Sequence, residues 1–152
     1  MKPLLLGMNN PLSDDPRYDL FPYPPGCTGH RLLQLLSAGT TRGEYMQGFE
    51  RRNLLHQREW DPHEALRAAE RLLPDLDGRF VVVLGSAVRA ALGLSRVQAL
   101  TVSGCVRDGI AFSWLAFPHP SGRNLWYNDP GNREAAGRAL YAVMRGEVPC
   151  AV

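Results

Sequence analysis

The stretch that most restricts what this chain can fold into is RFVVVL, Arg79 to Leu84, an apolar run closed by Gly85 and Ser86. A strand with apolar side chains in both phases of its two-residue repeat must be covered on both faces. That is the situation of strands in a parallel sheet between helices. Pro3 to Met8 repeats the pattern near the N-terminus. Helix signals lie between and after these runs. Thr28 is placed to cap a helix through Leu32, Leu33, Leu35 and Leu36, with Gly39 as its stop signal. A second helix is expected after Thr41, carrying Tyr45, Met46 and Phe49. DPHE, Asp61 to Glu64, sets an N-cap Asp, a Pro at the first helical position and a Glu at N3, and opens a helix to about Leu73. Ser86 caps a helix from Ala87 to about Leu92, and Gly131 to Arg145 forms a final amphipathic helix. Strands over 97–106 and 110–117 join at the hairpin signal Asp108-Gly109. The alternation predicts an α/β protein: three α/β/α layers around a short, mainly parallel sheet of about four strands, in one domain over 1–152.

The 152 residues suffice for one core, and 45% hydrophobic with 21% charged residues is ordinary for a globular protein. A formal charge of +2 gives no broad footprint for nucleic acid, although a modest total can hide one basic face. Three scattered cysteines, Cys27, Cys105 and Cys150, offer neither a disulfide framework nor metal-binding spacing. No apolar run approaches the ~20 residues of a membrane span, and residues 1–10 lack the pattern of a signal peptide. The expectation is a soluble, cytoplasmic monomer without a metal or cofactor.

Two strand exits carry the polar residues of interest: GMNNP, Gly7 to Pro11, and HPSGRN, His119 to Asn124. Both are proline-stiffened turns after apolar runs, and in a parallel sheet both fall on the C-terminal edge, where α/β proteins bind ligands. Each has a plainer explanation too, with Asn9 and Asn10 filling turn positions and His119 packed as a structural histidine. Between the first exit and the first helix, residues 9–27 form a long loop whose Tyr18, Phe21 and Tyr23 argue for order. Weaker signals are Cys27 with one of His30, His56, His63 or His119 as a hydrolase pair, and His56, Glu59 and His63 as metal ligands. VVVLGSA, Val81 to Ala87, has the shape of a nucleotide-binding turn but lacks its glycines and lysine.

Taken together, the two turns resemble the paired motifs of the uracil-DNA glycosylase superfamily, closest in style to its mismatch-specific and single-strand-selective branches. FPYPPGCTGHRLLQLL, Phe21 to Leu36, and VVVLGSA resemble further segments of that family. The resemblance implies hydrolysis of an N-glycosidic bond to uracil or a damaged or modified base flipped out of DNA. It assigns catalysis to Asn9 or Asn10, as the residue positioning water, and to His119, as the donor to the departing base. It gives base contacts to Gly7, Met8, Tyr23, Gly85 and Ser86. DNA contacts fall to Pro11, Pro120, Ser121, Gly122, Arg123 and Asn124. GMNNP holds one residue more between glycine and proline than the family motif, so Asn9 and Asn10 compete for one role. Gly85-Ser86 stands where uracil-specific members carry a base-reading Asn. The alternatives are a non-catalytic reader of DNA or modified bases on the same fold, and an enzyme of free nucleosides or nucleotides.

Overall fold

The computed structural model describes residues 1–148; Cys150 lies outside them. Five strands, β1 (Leu4–Gly7), β2 (Glu50–Asn53), β3 (Phe80–Leu84), β4 (Val102–Arg107) and β5 (Ile110–Phe117), form one sheet in the order β2-β1-β3-β5-β4. The first four in that order run parallel, and β4 pairs antiparallel with β5 at the edge. Helices α1 (Thr28–Leu35), α2 (Arg42–Gly48) and α5 (Pro130–Met144) contribute to one core layer, and α3 (Pro62–Leu72) and α4 (Ser86–Ala91) to the other.

The unbroken apolar runs explain this layering. Leu5, Val82 and Leu84 join Leu32, Leu140 and Val143 on the α1/α5 side, while Leu4, Leu6, Val81 and Val83 join Leu72 and Val88 on the α3/α4 side. Burying each such side chain is worth roughly 1.5–3 kcal/mol, so both faces need their helices. Among the described residues, no helix is long and apolar enough to cross a membrane.

The sheet has five strands where about four were expected, and the additional one is β2. Its sequence ERRN carries no apolar signal because it is an edge strand paired only with β1, where charged side chains are tolerated and block further pairing. Arg79 holds it in place, donating to Glu50 Oε2 at 2.7 Å and to Lys2 O at 3.0 Å. The other differences are local. Cys27, not Thr28, caps α1, which ends at Leu35 well before Gly39. Gly85, with φ of 89°, precedes α4, so Ser86 is its first residue and provides no side-chain cap. β4 starts at Val102, after a turn in which Leu100 has φ of 63°. The hairpin at Asp108-Gly109 has positive φ at both residues, 52° and 77°, as a type I′ turn requires.

The approach of α5 to α1 depends on Gly137, where a Cβ would stand 2.1 Å from Leu35 O. Gly137→Ala should force the helices apart and cost roughly 1–3 kcal/mol, read as a lower urea midpoint. An unchanged midpoint would contradict this packing.

Candidate functional site

Because β2, β1, β3 and β5 are parallel, their C-terminal ends share one edge, bearing Asn53, the GMNNP turn, Gly85 and the HPSGRN turn in that spatial order. β1 connects to β2 on one side while β3 lies on the other, which is the strand reversal that opens a crevice in such sheets. A cavity of about 670 Å³ lies there, within the size range of small-molecule sites. Asn9, Asn10, Pro11, Phe21, Tyr23 and Asn53 line one part of its wall, and Pro120, Ser121, Gly122 and Arg123 another. Two turns over a hundred residues apart in sequence therefore face the same space.

The two asparagines of the first turn have different tasks. Asn10 is consumed at both ends: its Oδ1 accepts from Leu12 N at 2.9 Å and its Nδ2 donates to Tyr18 O at 3.3 Å. Asn9 uses only its amide end, which donates to Arg58 O at 2.8 Å and Gln57 O at 3.4 Å. A side chain held by its NH₂ group keeps its carbonyl oxygen available as an acceptor. Asn9 is thus the member of the pair with a free functional atom.

The wall between them is built on a strained segment. Leu20 has φ of 50°, a left-handed conformation that costs a bulky residue roughly 1–3 kcal/mol. Three contacts hold it. Tyr45 OH donates to Leu20 O at 2.7 Å, Arg51 donates to Asp19 O at 2.6 Å, and α1 runs so close that a Cβ on Gly29 would meet Leu20 O and Phe21 O at 2.3 Å. Burial pushes the Tyr45 hydroxyl well above the usual tyrosine range, so it remains a donor. Phe21, half-buried, and Tyr23, 59% exposed, then occupy inner and outer positions on the aromatic wall.

The second turn is tied from within. Tyr127 OH donates to Pro118 O at 2.6 Å, and Asn124 Nδ2 to His119 O at 3.0 Å. Asn124 Oδ1 accepts from Trp126 N at 3.1 Å, so this side chain is spent on the turn's own architecture. Trp126 and Tyr127 pack edge to face at 4.8 Å against the core. Ser121 Oγ accepts from Arg123 N at 3.1 Å and retains its hydroxyl hydrogen. Arg31 of α1 lies against Gly122, where a Cβ would come within 2.8 Å of its guanidinium, and adds a second arginine to the rim beside Arg123.

Several expected residues lie elsewhere. Gly85 and Ser86 line a separate cavity of about 190 Å³, together with Pro118. Met8 packs into the α3/α4 side of the core. Gly7 is buried beneath the site, and its missing side chain admits Asn53 Oδ1, which a Cβ there would meet at 2.5 Å. His119 does not line the larger cavity. Its ring packs on Gly85, where a Cβ would stand 3.0 Å from His119 Cβ, and burial pushes its pKa below the usual histidine value. The imidazole is therefore neutral at pH 7.

Asn53 is the residue that the sequence concealed. It is 1% exposed, lines the cavity, and its Oδ1 has no hydrogen-bond partner. A buried acceptor without a donor marks a place where a ligand or water completes the bonding. Among the described residues, no group of three or more His, Cys, Asp or Glu side chains is placed to hold a metal. Cys27 Sγ donates to Phe21 O at 3.3 Å, while His30 Nδ1 accepts from Gly26 N, so neither is turned toward the other as a nucleophile and its base. Comparison with family models, curated proteins and solved structures finds no match to this chain.

The buried neutral imidazole has a consequence for stability. With the folded pKa below the unfolded value of about 6.5, the unfolded chain binds the proton more readily. Stability is thus fully present above about pH 6.5 and falls as pH drops through the lowered folded value. Urea unfolding at pH 7 and pH 5 should show a smaller acid loss in His119→Asn than in the parent. Equal losses would contradict the burial of this ring.

Proposed function

We propose that this chain is a monofunctional DNA glycosylase of the uracil-DNA glycosylase type, hydrolysing the N-glycosidic bond of uracil or a damaged or modified base turned out of DNA. The observation that carries the reading is the single cavity shared by the GMNNP turn, the HPSGRN turn and the aromatics Phe21 and Tyr23. A flipped base needs a flat stacking surface, polar groups at its edge and a grip on the flanking phosphates. Phe21 and Tyr23 supply the first, and Asn53 the second. Ser121, Gly122, Arg123 and Arg31 at the rim supply the third, since hydroxyls, exposed backbone N–H groups and guanidinium forks suit phosphate oxygens.

In the reaction the C1′–N bond breaks with its electron pair passing to the base, and water adds to C1′ and releases a proton. Asn9, with its amide anchored on the Arg58 and Gln57 carbonyls, presents Oδ1 to that water and to the cationic sugar. His119 acts as a neutral donor to the carbonyl oxygen on which negative charge collects. A donor aimed at developing charge contributes about 2.7–4 kcal/mol. Since the ring packs on Gly85, the scheme requires the Pro118–Pro120 turn to bring it forward over the bound base. Catalytic hydrogen bonds commonly tighten only once substrate is present. That same ring position favours a second reading, a non-catalytic reader that binds the base without cleaving it.

Base release separates the two. Oligonucleotides carrying uracil opposite guanine, single-stranded uracil, 5-hydroxymethyluracil or hypoxanthine should show release from at least one, read as strand cleavage in alkali. Release from none contradicts the glycosylase. Asn9→Ala should lower the rate by about 10²–10³. Asn10→Ala should act mainly on stability, by roughly 0.5–1.5 kcal/mol for each hydrogen bond lost. Near-parent rates in both would remove the role given to Asn9.

A further inference from the structure

The free oxygen of Asn53 has a fixed identity, and Asp19 fixes it. A carboxamide buried at the end of a strand can sit either way round, with oxygen and nitrogen exchanged, unless a neighbour distinguishes them. Asp19, 2% exposed, is that neighbour. Its Oδ1 accepts Asn53 Nδ2 at 3.3 Å, and its Oδ2 accepts the Asn53 backbone N–H at 2.9 Å and His56 Nε2 at 3.0 Å. A carboxylate can only accept, so it takes the amide end of Asn53 and leaves the carbonyl end unpaired over Gly7. The mount is rigid. Arg51 binds the Asp19 carbonyl, Tyr45 binds the next one along, and His56 closes the outer side of the carboxylate. The three side-chain bonds of Asp19 go to Asn53 and to the loop that follows it.

We propose that Asp19 is a positioning residue that sets the polarity of base recognition: by holding the amide end of Asn53, it commits the carbonyl end to the cavity and makes the site select bases that bring a ring N–H to that edge. The inference rests on the reading of the cavity as a base-binding site. The preferred class is a pyrimidine-dione, whose ring imide offers that N–H. A pyrimidine-2-one, with a bare ring nitrogen at the same position, places acceptor against acceptor. Asp19→Asn keeps the shape but can donate as well as accept, so it frees the Asn53 carboxamide to turn.

Side-chain amide NMR of the full chain reads the orientation directly. In the parent protein the NOE between the Asn53 Hδ2 and Gly7 Hα protons should be weak against the Hδ2–Asn53 Hβ reference, because Oδ1 occupies the near side. In Asp19→Asn, folded by the dispersion of its amide spectrum, that NOE should strengthen several-fold against the same reference. A strong NOE in the parent overturns the lock even if the variant does not fold, and an unchanged intensity in a folded variant overturns it as well. The second arm measures binding of single-stranded oligonucleotides carrying one uracil or one pyrimidin-2-one, each on a 2′-fluoro-2′-deoxyribose that resists cleavage. The parent should prefer uracil by roughly tenfold, the worth of one hydrogen bond, and Asp19→Asn should lose most of that preference. A preference unchanged in a variant whose amide has turned overturns the selectivity claim. An amide that turns while neither protein binds either oligonucleotide supports the lock and overturns the base-binding reading, so the two fail separately.

Discussion

Burial of β1 and β3 on both faces is the constraint from which the rest of this structure follows. With apolar side chains directed into both helical layers, the central strands have no polar surface along their length. Polar chemistry can enter only where the strands stop. Parallel pairing then gathers four of those stops on one edge, and the crevice between β1 and its neighbours becomes the place where loops can converge. Gly85 matters in this context. β3 separates β1 from β5, and a side chain at its end would push against His119 and hold the second turn away.

Convergence alone would leave flexible loops around a hole. What turns them into a shaped cavity is a set of bonds from side chains to backbone carbonyls across long sequence separations: Asn9 to Arg58, Tyr45 to Leu20 and Arg51 to Asp19. They tie the loop after β1 to the loop after β2, to α2 and to β2 itself, so these segments behave as one unit. The strain of Leu20 is offset by this network and places Phe21 and Tyr23 on the aromatic wall. The unpaired oxygen of Asn53 is the one buried acceptor in that wall left unsatisfied among the described residues, and it points the unit toward a ligand that carries a donor.

The layered fold was legible because its signals are local: apolar runs for β1 and β3, DPHE for α3, Asp108-Gly109 for the hairpin. The turns at Asn9 and at Pro120 to Arg123 were legible as candidate cavity-lining turns because prolines and polar residues after a strand are visible without knowing what they face. β2 was not, since an edge strand of charged residues has no hydrophobic period. Asn53 was hidden with it, as the last residue of a strand that could not be read. Asp19 was hidden for a different reason: a buried carboxylate is recognisable only from partners 34 and 37 positions away. Gly85 and Ser86 drew attention as a strand-to-helix turn, yet they border a different cavity, because the end of β3 is covered by the His119 turn.

The role proposed for this cavity is to hold a base extruded from DNA. The structure of the chain with an oligonucleotide containing 2′-fluoro-2′-deoxyuridine, whose glycosidic bond resists cleavage, tests it most directly. The uracil ring should lie against Phe21 and Tyr23, with its ring N–H on Asn53 Oδ1 and the flanking phosphates on Ser121 and Gly122. An oligonucleotide bound elsewhere, with the cavity empty, would contradict it.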